Sequence, residues 1–266
     1  MKSLVLRTVS GLVYIAIIIG CLLWGSFTLS IMAAAFAALA NVEFEKITKE
    51  LSSATIPTLL LDIAGGVCLA FGWMLYPIIL WVFVIICRMT LELYIKSPTP
   101  LANLAKSMMS QIYIGLPLGI MAAMGQWWGT HLILAVFCMI WINDTGAFVV
   151  GSLIGKKRLF ERISPKKSWE GFFGGLVFNI GAAIACSYCW AEFFNFDGLW
   201  KWIILAVVVT VFATWGDLVE SLIKRTLHIK DSGNLIPGHG GILDRIDSLL
   251  FVMPAVFVYI CFTKLL

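Results

Sequence analysis

The stretch that decides the fold is Trp202-Ile-Ile-Leu-Ala-Val-Val-Val-Thr-Val-Phe-Ala-Thr-Trp-Gly-Asp217, continued by Leu-Val-Glu-Ser-Leu-Ile-Lys-Arg225. Its first part is an apolar run, and ~20 such residues in a helix span the hydrocarbon core of a bilayer. Its second part brings charged residues within two turns of the last apolar residue. This succession predicts a membrane-spanning helix whose end carries polar chemistry.

The composition extends this interpretation to the whole chain. Of 266 residues, 61% are hydrophobic and 13% are charged, whereas a soluble domain is ~25% charged. No polar stretch approaches the ~50 residues that a separate soluble domain needs. Seven cysteines lie mostly in apolar runs and are interpreted as small buried hydrophobes, not as a disulfide framework.

Nine apolar runs predict nine transmembrane helices. With the amino terminus inside, Lys201 and Lys264 are the two of 19 Lys and Arg left outside, as the positive-inside rule requires. The predicted fold is therefore an all-α polytopic membrane protein with a polar cavity facing the cytoplasm. The runs lie near residues 9–24, 27–40, 56–71, 73–87, 107–124, 131–154, 171–191, 202–217 and 247–262.

Charge divides the chain into two predicted parts. Residues 1–130 carry few charges inside the predicted spans and are interpreted as scaffold, although Asp62 could pair with a cation elsewhere. Residues 131–266 hold the candidate catalytic loops. A basic cytoplasmic face suits anionic head groups and phosphorylated substrates, so no nucleic-acid partner is expected.

Asp144 lies deep in the sixth predicted span, beside Asn143. A carboxylate at that depth costs ~2.5–3.5 kcal/mol on insertion scales. It either pairs with a cation to hold the helices together or lines a polar cavity, and we favour the cavity.

Lys166 and Lys167 precede a predicted helix start at which Ser168 is the expected N-cap. Two cations beside the positive end of a helix predict a site for phosphate. The P-loop spacing G-x-x-x-x-G-K-[ST] is not found in the sequence, so P-loop chemistry is excluded.

The exit of the eighth span supplies a third set of polar residues. At helical spacing, Asp217, Ser221, Lys224 and His228 fall on one face, although an amphipathic exit helix would have a similar pattern. Further on, Gly238 to Gly241 form a turn whose N–H groups can approach phosphate oxygens.

Two acids follow this turn, three residues apart. Asp244 and Asp247 suit a hard cation such as Mg²⁺ that is shared with substrate phosphates. Acids at a helix start can instead cap it, and this alternative stays open for Asp247.

The longest motif resembles a known family. Ser221-x-Ile-Lys-Arg-x4-Lys-Asp-x-Gly-x2-Ile-Pro-x-His-Gly-Gly-Ile-x-Asp-Arg-Ile-Asp247 is similar to the signature of phosphatidate cytidylyltransferases, and Asn143–Ala147 and Ile163–Gly171 resemble two further marks of that family. Phe148 and Ser168 depart mildly from its more usual Tyr and Thr. The motifs cover 141–247; the front third is similar only in length and hydropathy.

The resemblance implies transfer of a cytidylyl group from CTP to phosphatidate with release of pyrophosphate. It also implies Mg²⁺, a second cation such as K⁺, and a homodimer in the bacterial inner membrane, with dimer contacts in residues 1–130. The implied metal ligands are Asp217, Asp244 and Asp247. The implied catalytic residues are Lys224, Arg225, Asp244, Arg245 and Asp247; the implied substrate-binding residues are Asp144, Lys166, Lys167, Ser221, Lys224, Lys230, Asp231, His239, Gly240 and Gly241.

Two other functions remain open at this stage. A CTP-dependent lipid kinase would need a base for a lipid hydroxyl, and Asp231 or His239 are candidates. A transporter of an anionic solute would place polar residues through the full depth of several spans. Here they gather toward one face, which favours the transferase.

Overall fold

The computed structural model describes residues 2–51, 55–233, 235 and 240–265, and this part of the chain is almost entirely helical. The predicted all-α membrane class is confirmed. The elements are α1 (Lys2–Trp24), α2 (Ser26–Ile47), α3 (Ile56–Ala70), α4 (Leu75–Leu91), α5 (Pro100–Ser110), a π-helical turn (Gln111–Gly115), α6 (Leu116–Trp128), α7 (Thr130–Ile154), β1 (Arg158–Phe160), β2 (Ser164–Ser168), α8 (Trp169–Cys189), α9 (Ala191–Phe194), α10 (Leu199–Thr226) and α11 (Leu243–Leu265).

An apolar helix lies at each of the nine predicted positions. Three of these are shorter, at Thr8–Trp24, Ile56–Ala70 and Leu75–Leu91. The other six are long and apolar enough to cross a bilayer, namely Ser26–Ile47, Pro100–Trp128, Thr130–Ile154, Trp169–Cys189, Leu199–Thr226 and Leu243–Thr263.

The chain forms two compact units. The first unit comprises Met1–Thr130 and Leu227–Ile246, and the second comprises His131–Thr226 and Asp247–Leu266. The boundary between them falls inside α11. The division into scaffold and catalytic parts at residue 130 stays a prediction.

Glycines bring helices of the first unit close together. A Cβ on Gly119 of α6 would stand 2.6 Å from the carbonyl oxygen of Leu69 in α3, and one on Gly115 would stand 2.9 Å from the Leu69 side chain. Small residues allow such close approach of membrane helices. Gly115 and Gly119 therefore have a packing role in the first unit.

The first unit also contains a buried polar network, formed by Asp62, Arg88, Glu92, Asn103 and Ser107, of which each is at most 6% exposed. The Arg88 guanidinium contacts Glu92 at 2.8 Å, Asp62 at 4.0 Å and the Ser107 hydroxyl at 2.7 Å. Ser107 donates to Asp62 at 2.9 Å, and Asn103 donates to Glu92 at 2.6 Å. The predicted cationic partner of Asp62 is therefore Arg88.

Glycines also allow close helix packing in the second unit. Gly171 of α8 lies against Gly151 of α7, with the Ala147 carbonyl oxygen 2.9 Å from where its Cβ would be. Gly216 of α10 lies against α11, since its Cβ would be 2.6 Å from the Asp247 carbonyl oxygen. At these glycines the backbones of α7 and α8 are in direct contact, and so are the backbones of α10 and α11.

One feature of the second unit was not expected from the sequence. The basic segment between α7 and α8, predicted as a loop, forms the antiparallel β1–β2 hairpin, in which Arg158 pairs with Ser168. The short strands carry the two lysines that the sequence placed at a helix entrance. Because successive side chains of a strand point to opposite faces, the hairpin directs Lys166 and Lys167 to opposite sides.

Candidate functional site

The last two turns of α10 carry charged side chains at i, i+4 spacing. The Ser221 hydroxyl donates to the Asp217 carboxylate at 3.2 Å, and the Lys224 ammonium forms an ion pair with the buried Glu220. The helix ends at Thr226, and His228 lies beyond it with a φ of 56°. The shared face is confirmed for Asp217 and Ser221, but the prediction was wrong for His228 because the helix does not reach it.

Lys167 contacts α10 from strand β2. Its ammonium lies 2.8 Å from the Asp217 carboxylate and donates to the Thr214 carbonyl oxygen at 3.3 Å. The Lys167 and Asp217 side chains are 25% and 40% exposed, and the adjacent Lys166 is exposed. The strand therefore presents one lysine to Asp217 and leaves the other on the surface.

Arg225 makes a second connection between the hairpin and α10. Its Nε donates to the Ile163 carbonyl oxygen, in the turn between β1 and β2, at 3.4 Å. With Lys167–Asp217, this contact attaches both ends of β2 to the last turns of α10. We call Lys167, Asp217, Ser221, Lys224 and Arg225 the α10 cluster.

The start of α8 supports the hairpin from the other side. Ser168 is the N-cap, because its hydroxyl accepts a hydrogen bond from the Gly171 N–H at 3.1 Å, which confirms the predicted cap. Glu170 accepts hydrogen bonds from the backbone N–H groups of Lys156 and Lys157, each at 3.1 Å. A helix N-terminus favours such negative charge, and the hairpin is thereby held at both ends.

Two further candidate residues of the second unit are acidic. Asp144 is exposed on α7, and Asn143 donates to it at 3.5 Å. Asp247 is half-buried at the start of α11 and accepts the Ser248 N–H at 2.7 Å. Both acids belong to the second unit, as does Asp217.

This acidic arrangement fits a hard cation in its donor chemistry. Among the described residues, no group of three His, Cys, Asp or Glu side chains has the arrangement of a complete metal site. Mg²⁺, however, is usually held by one or two carboxylates together with substrate phosphates and water. Asp217 directly follows Gly216, which packs against the Asp247 backbone, and these two carboxylates are the candidates for such a pair.

In the first unit, the segment before α11 is held by Asp244. The Asp244 carboxylate accepts the Gly241 N–H at 2.9 Å and the Ser232 N–H at 3.0 Å. Gly240 has a φ of 82°, and its Cβ would lie 2.7 Å from the same carboxylate, so that only glycine fits. Arg245 is exposed, and its carbonyl oxygen accepts the Tyr14 hydroxyl at 3.2 Å.

The remaining predicted residues lie in or near the same segment. Lys230 and Asp231 are exposed just after α10. His239 lies outside the described residues. The structure thus brings Lys167 and Ser221 to Asp217, and it places Asp244, Gly240 and Gly241 in one hydrogen-bonded turn.

Sequence reasoning missed Glu43 of α2. This side chain is 5% exposed, and its carboxylate accepts hydrogen bonds from Ile242 N–H, Leu243 N–H and the Ser232 hydroxyl at 2.9, 2.9 and 3.2 Å. The one feature of the sequence that could have indicated Glu43 is that an acid stands between the apolar residues Val42 and Phe44. An intramembrane carboxylate is costly and needs partners, but the spacing along the chain does not show which ones.

The pattern that defines the cytidylyltransferase family matches residues 5–263. The chain belongs to this family. Among its curated relatives, the chain is 44% identical over 127 residues to a protein of Staphylococcus haemolyticus named "Phosphatidate cytidylyltransferase". It is 45% identical over 127 residues to a protein of that name from Staphylococcus saprophyticus, and 46% identical over 128 residues to one from Staphylococcus aureus.

These similarities cover part of each chain. In all three cases they span 47% of this chain and 47% of the relative, so that the chain spans about half the length of the curated relatives it matches. The family pattern, by contrast, includes Glu43, the α10 cluster and the segment before α11, because all of them lie between residues 5 and 263.

Proposed function

We propose that this protein transfers the cytidylyl group of CTP to phosphatidate, forming CDP-diacylglycerol and pyrophosphate. The observation that carries the proposal is the α10 cluster, in which Lys167 meets Asp217 at 2.8 Å and Lys224 and Arg225 follow at the end of an apolar helix. Family membership and the names of the curated relatives support it. The end of a membrane helix lies at the bilayer surface, where a lipid phosphate and a soluble nucleotide can both bind.

The reaction requires positioning and charge neutralisation more than proton transfer. An oxygen of the phosphatidate phosphate attacks the α-phosphorus of CTP, a new P–O bond forms, and the bond to the β-phosphate oxygen breaks. The nucleophile is already anionic and needs no general base. Lys167, Lys224 and Arg225 neutralise phosphate oxygens, which is how phosphoryl-transfer enzymes lower the barrier.

In this mechanism Lys167 changes partner when substrate binds. Its ion pair with Asp217 is partly exposed, and exposed pairs contribute only ~0–1 kcal/mol. A phosphate can therefore compete for the ammonium at low cost. The Arg225 contact to Ile163 keeps the hairpin in place during the exchange.

Asp217 and Asp247 are the proposed holders of Mg²⁺, which would supply positive charge against the triphosphate oxygens. Asp244 is the third proposed ligand. Its carboxylate accepts the Ser232 and Gly241 N–H groups in the first unit, and it is proposed as a ligand because its motif resembles the signature of the family. K⁺ as a second cation stays part of the proposal.

The proposed setting is the bacterial inner membrane, with the site facing the cytoplasm and the protein acting as a homodimer. The orientation is supported by the distribution of Lys and Arg, of which Lys201 and Lys264 alone fall on the other side in the nine-span count. CTP is a cytoplasmic substrate, so this orientation gives it direct access.

The test is an assay of the purified protein in detergent with CTP and phosphatidate, with and without Mg²⁺. We expect pyrophosphate and CDP-diacylglycerol in equal amounts, and no product without a divalent cation. CDP formed from CTP and diacylglycerol would indicate a lipid kinase instead. A folded, dimeric protein that catalyses neither reaction would also overturn the proposal.

A further inference from the structure

We propose that Glu43 is a positioning residue that holds the start of α11 in the conformation needed to bind CTP. This inference rests on the proposed function and assigns a role to a helix that sequence reasoning treated as scaffold. Glu43 itself is buried in the first unit. It acts through the segment that carries Gly240, Gly241, Asp244 and Arg245.

Both oxygens of the Glu43 carboxylate are used. Oε1 accepts the Ile242 N–H and Oε2 accepts the Leu243 N–H, each at 2.9 Å. These donors belong to the first helical residue and the one before it, and the first N–H groups of a helix have no partner within the helix. Glu43 therefore caps the start of α11 from α2.

The same carboxylate also contacts the other end of the loop. The Ser232 hydroxyl donates to Oε2 at 3.2 Å, while the Ser232 N–H donates to Asp244. The two loop ends, Ser232–Gly233 and Gly240–Leu243, are thus joined through two acids. Glu43 is the one of the two that comes from a distant element.

Two glycines make this approach possible. A Cβ on Gly233 would lie 2.8 Å from Glu43 Oε1, and one on Gly241 would overlap both Glu43 Oε2 and the Ser232 hydroxyl. Neither position has a φ in the left-handed range. The need for glycine at these two positions is therefore explained by the approach to Glu43, rather than by backbone conformation.

A capping carboxylate of this kind is suited to positioning. Charge-assisted hydrogen bonds are about twice as strong as neutral ones, and leaving a buried donor unsatisfied is costly. Without Glu43, the binding-competent conformation becomes a minority state. The apparent affinity for CTP then falls by the fraction that remains competent, whereas the rate at saturation is retained.

The experiment compares Glu43→Gln with Glu50→Gln, the same chemical change at an exposed acid just after α2. In Glu43→Gln an NH₂ group replaces one of the two oxygens that accept hydrogen bonds from Ile242, Leu243 and Ser232. We expect the KM for CTP to rise roughly tenfold, as loss of one charge-assisted hydrogen bond predicts, with kcat changed less than about twofold. Glu50→Gln should leave both constants unchanged.

Hydrogen–deuterium exchange supplies a readout that does not need activity. Amides of residues 240–246 should exchange faster in Glu43→Gln, while peptides of α7 and α8 keep their wild-type rates. Unchanged protection at 240–246 would overturn the inference even if the wild-type protein proved inactive with CTP and phosphatidate. A fall in kcat at constant KM for CTP would overturn it as well, because it indicates loss of active protein or a catalytic role.

A second variant approaches the contact from the loop. Gly233→Ala places a methyl group against Glu43, and its control is Gly181→Ala, where a Cβ meets nothing within 4 Å. Should Glu43→Gln fail to fold, Gly233→Ala carries the test. It should raise the KM for CTP and the exchange at 240–246, Gly181→Ala should do neither, and equal behaviour of the two alanine variants would contradict the inference.

Discussion

The buried polar network of the first unit and the α10 cluster of the second unit use similar residues in opposite ways. In the network, Arg88 is 2% exposed and contacts two acids and a hydroxyl. In the α10 cluster, the Lys167–Asp217 pair is 25% and 40% exposed. In the first arrangement Arg88 and both acids are buried with partners, whereas the ion pair in the second is partly exposed.

The difference shows what burial does to charge in a membrane protein. A buried ion pair contributes little net stability, but removing one partner leaves an uncompensated charge and is strongly destabilising. A partly exposed pair contributes ~0–1 kcal/mol and can exchange partners. We therefore expect substitutions in the network to affect stability and substitutions in the α10 cluster to affect activity.

Arg88→Ala should have the largest effect. It leaves Asp62 and Glu92 without their cation, and we expect a loss of about 3–5 kcal/mol of stability. Thermal unfolding in detergent measures this loss, with Arg162→Ala, an exposed arginine between the strands, as the control. An Arg88→Ala protein of normal stability but no activity would break the comparison.

Asp217→Asn should reduce turnover by about 100-fold or more, the cost of removing one electrostatic group from a reacting site. Its unfolding temperature should change little, because the ion pair with Lys167 is partly exposed. The assay follows pyrophosphate release, and Asp197→Asn, which alters an exposed acid after α9, is the matched control. A large fall in stability with a proportional loss of activity would show that Asp217 has a structural role, like the residues of the buried polar network.

Ser221→Ala should have the smallest effect. It removes one hydrogen bond to Asp217 at 3.2 Å, and a single such bond contributes ~0.5–1.5 kcal/mol. We expect a two- to tenfold lower turnover from that range and an unchanged unfolding temperature. Ser152→Ala, which removes a local bond to the Val149 carbonyl, should alter neither quantity.

The helical positions could be predicted because hydropathy is a property of consecutive residues. The prediction ended α2 near residue 40, whereas the helix continues to Ile47. The extra turns contain Glu43 and Glu45, which lower local hydropathy, and tertiary partners hold both acids: Lys106 pairs with Glu45 at 2.7 Å. The β1–β2 hairpin was missed because β1 has only three residues and β2, Ser-Pro-Lys-Lys-Ser, has no alternation of apolar and polar residues.

In the candidate site, too, local features could be predicted from the sequence and long-range contacts could not. By itself the sequence determined the membrane class, the Ser168 cap and the spacing of Asp217 and Ser221, since each depends on residues within a few positions of one another. Only the tertiary structure decided that Lys167 meets Asp217, that Arg225 holds the hairpin turn and that Glu43 caps α11. Glu43 and Ile242 are 199 residues apart, and such a contact is set by how helices pack, which no local pattern encodes.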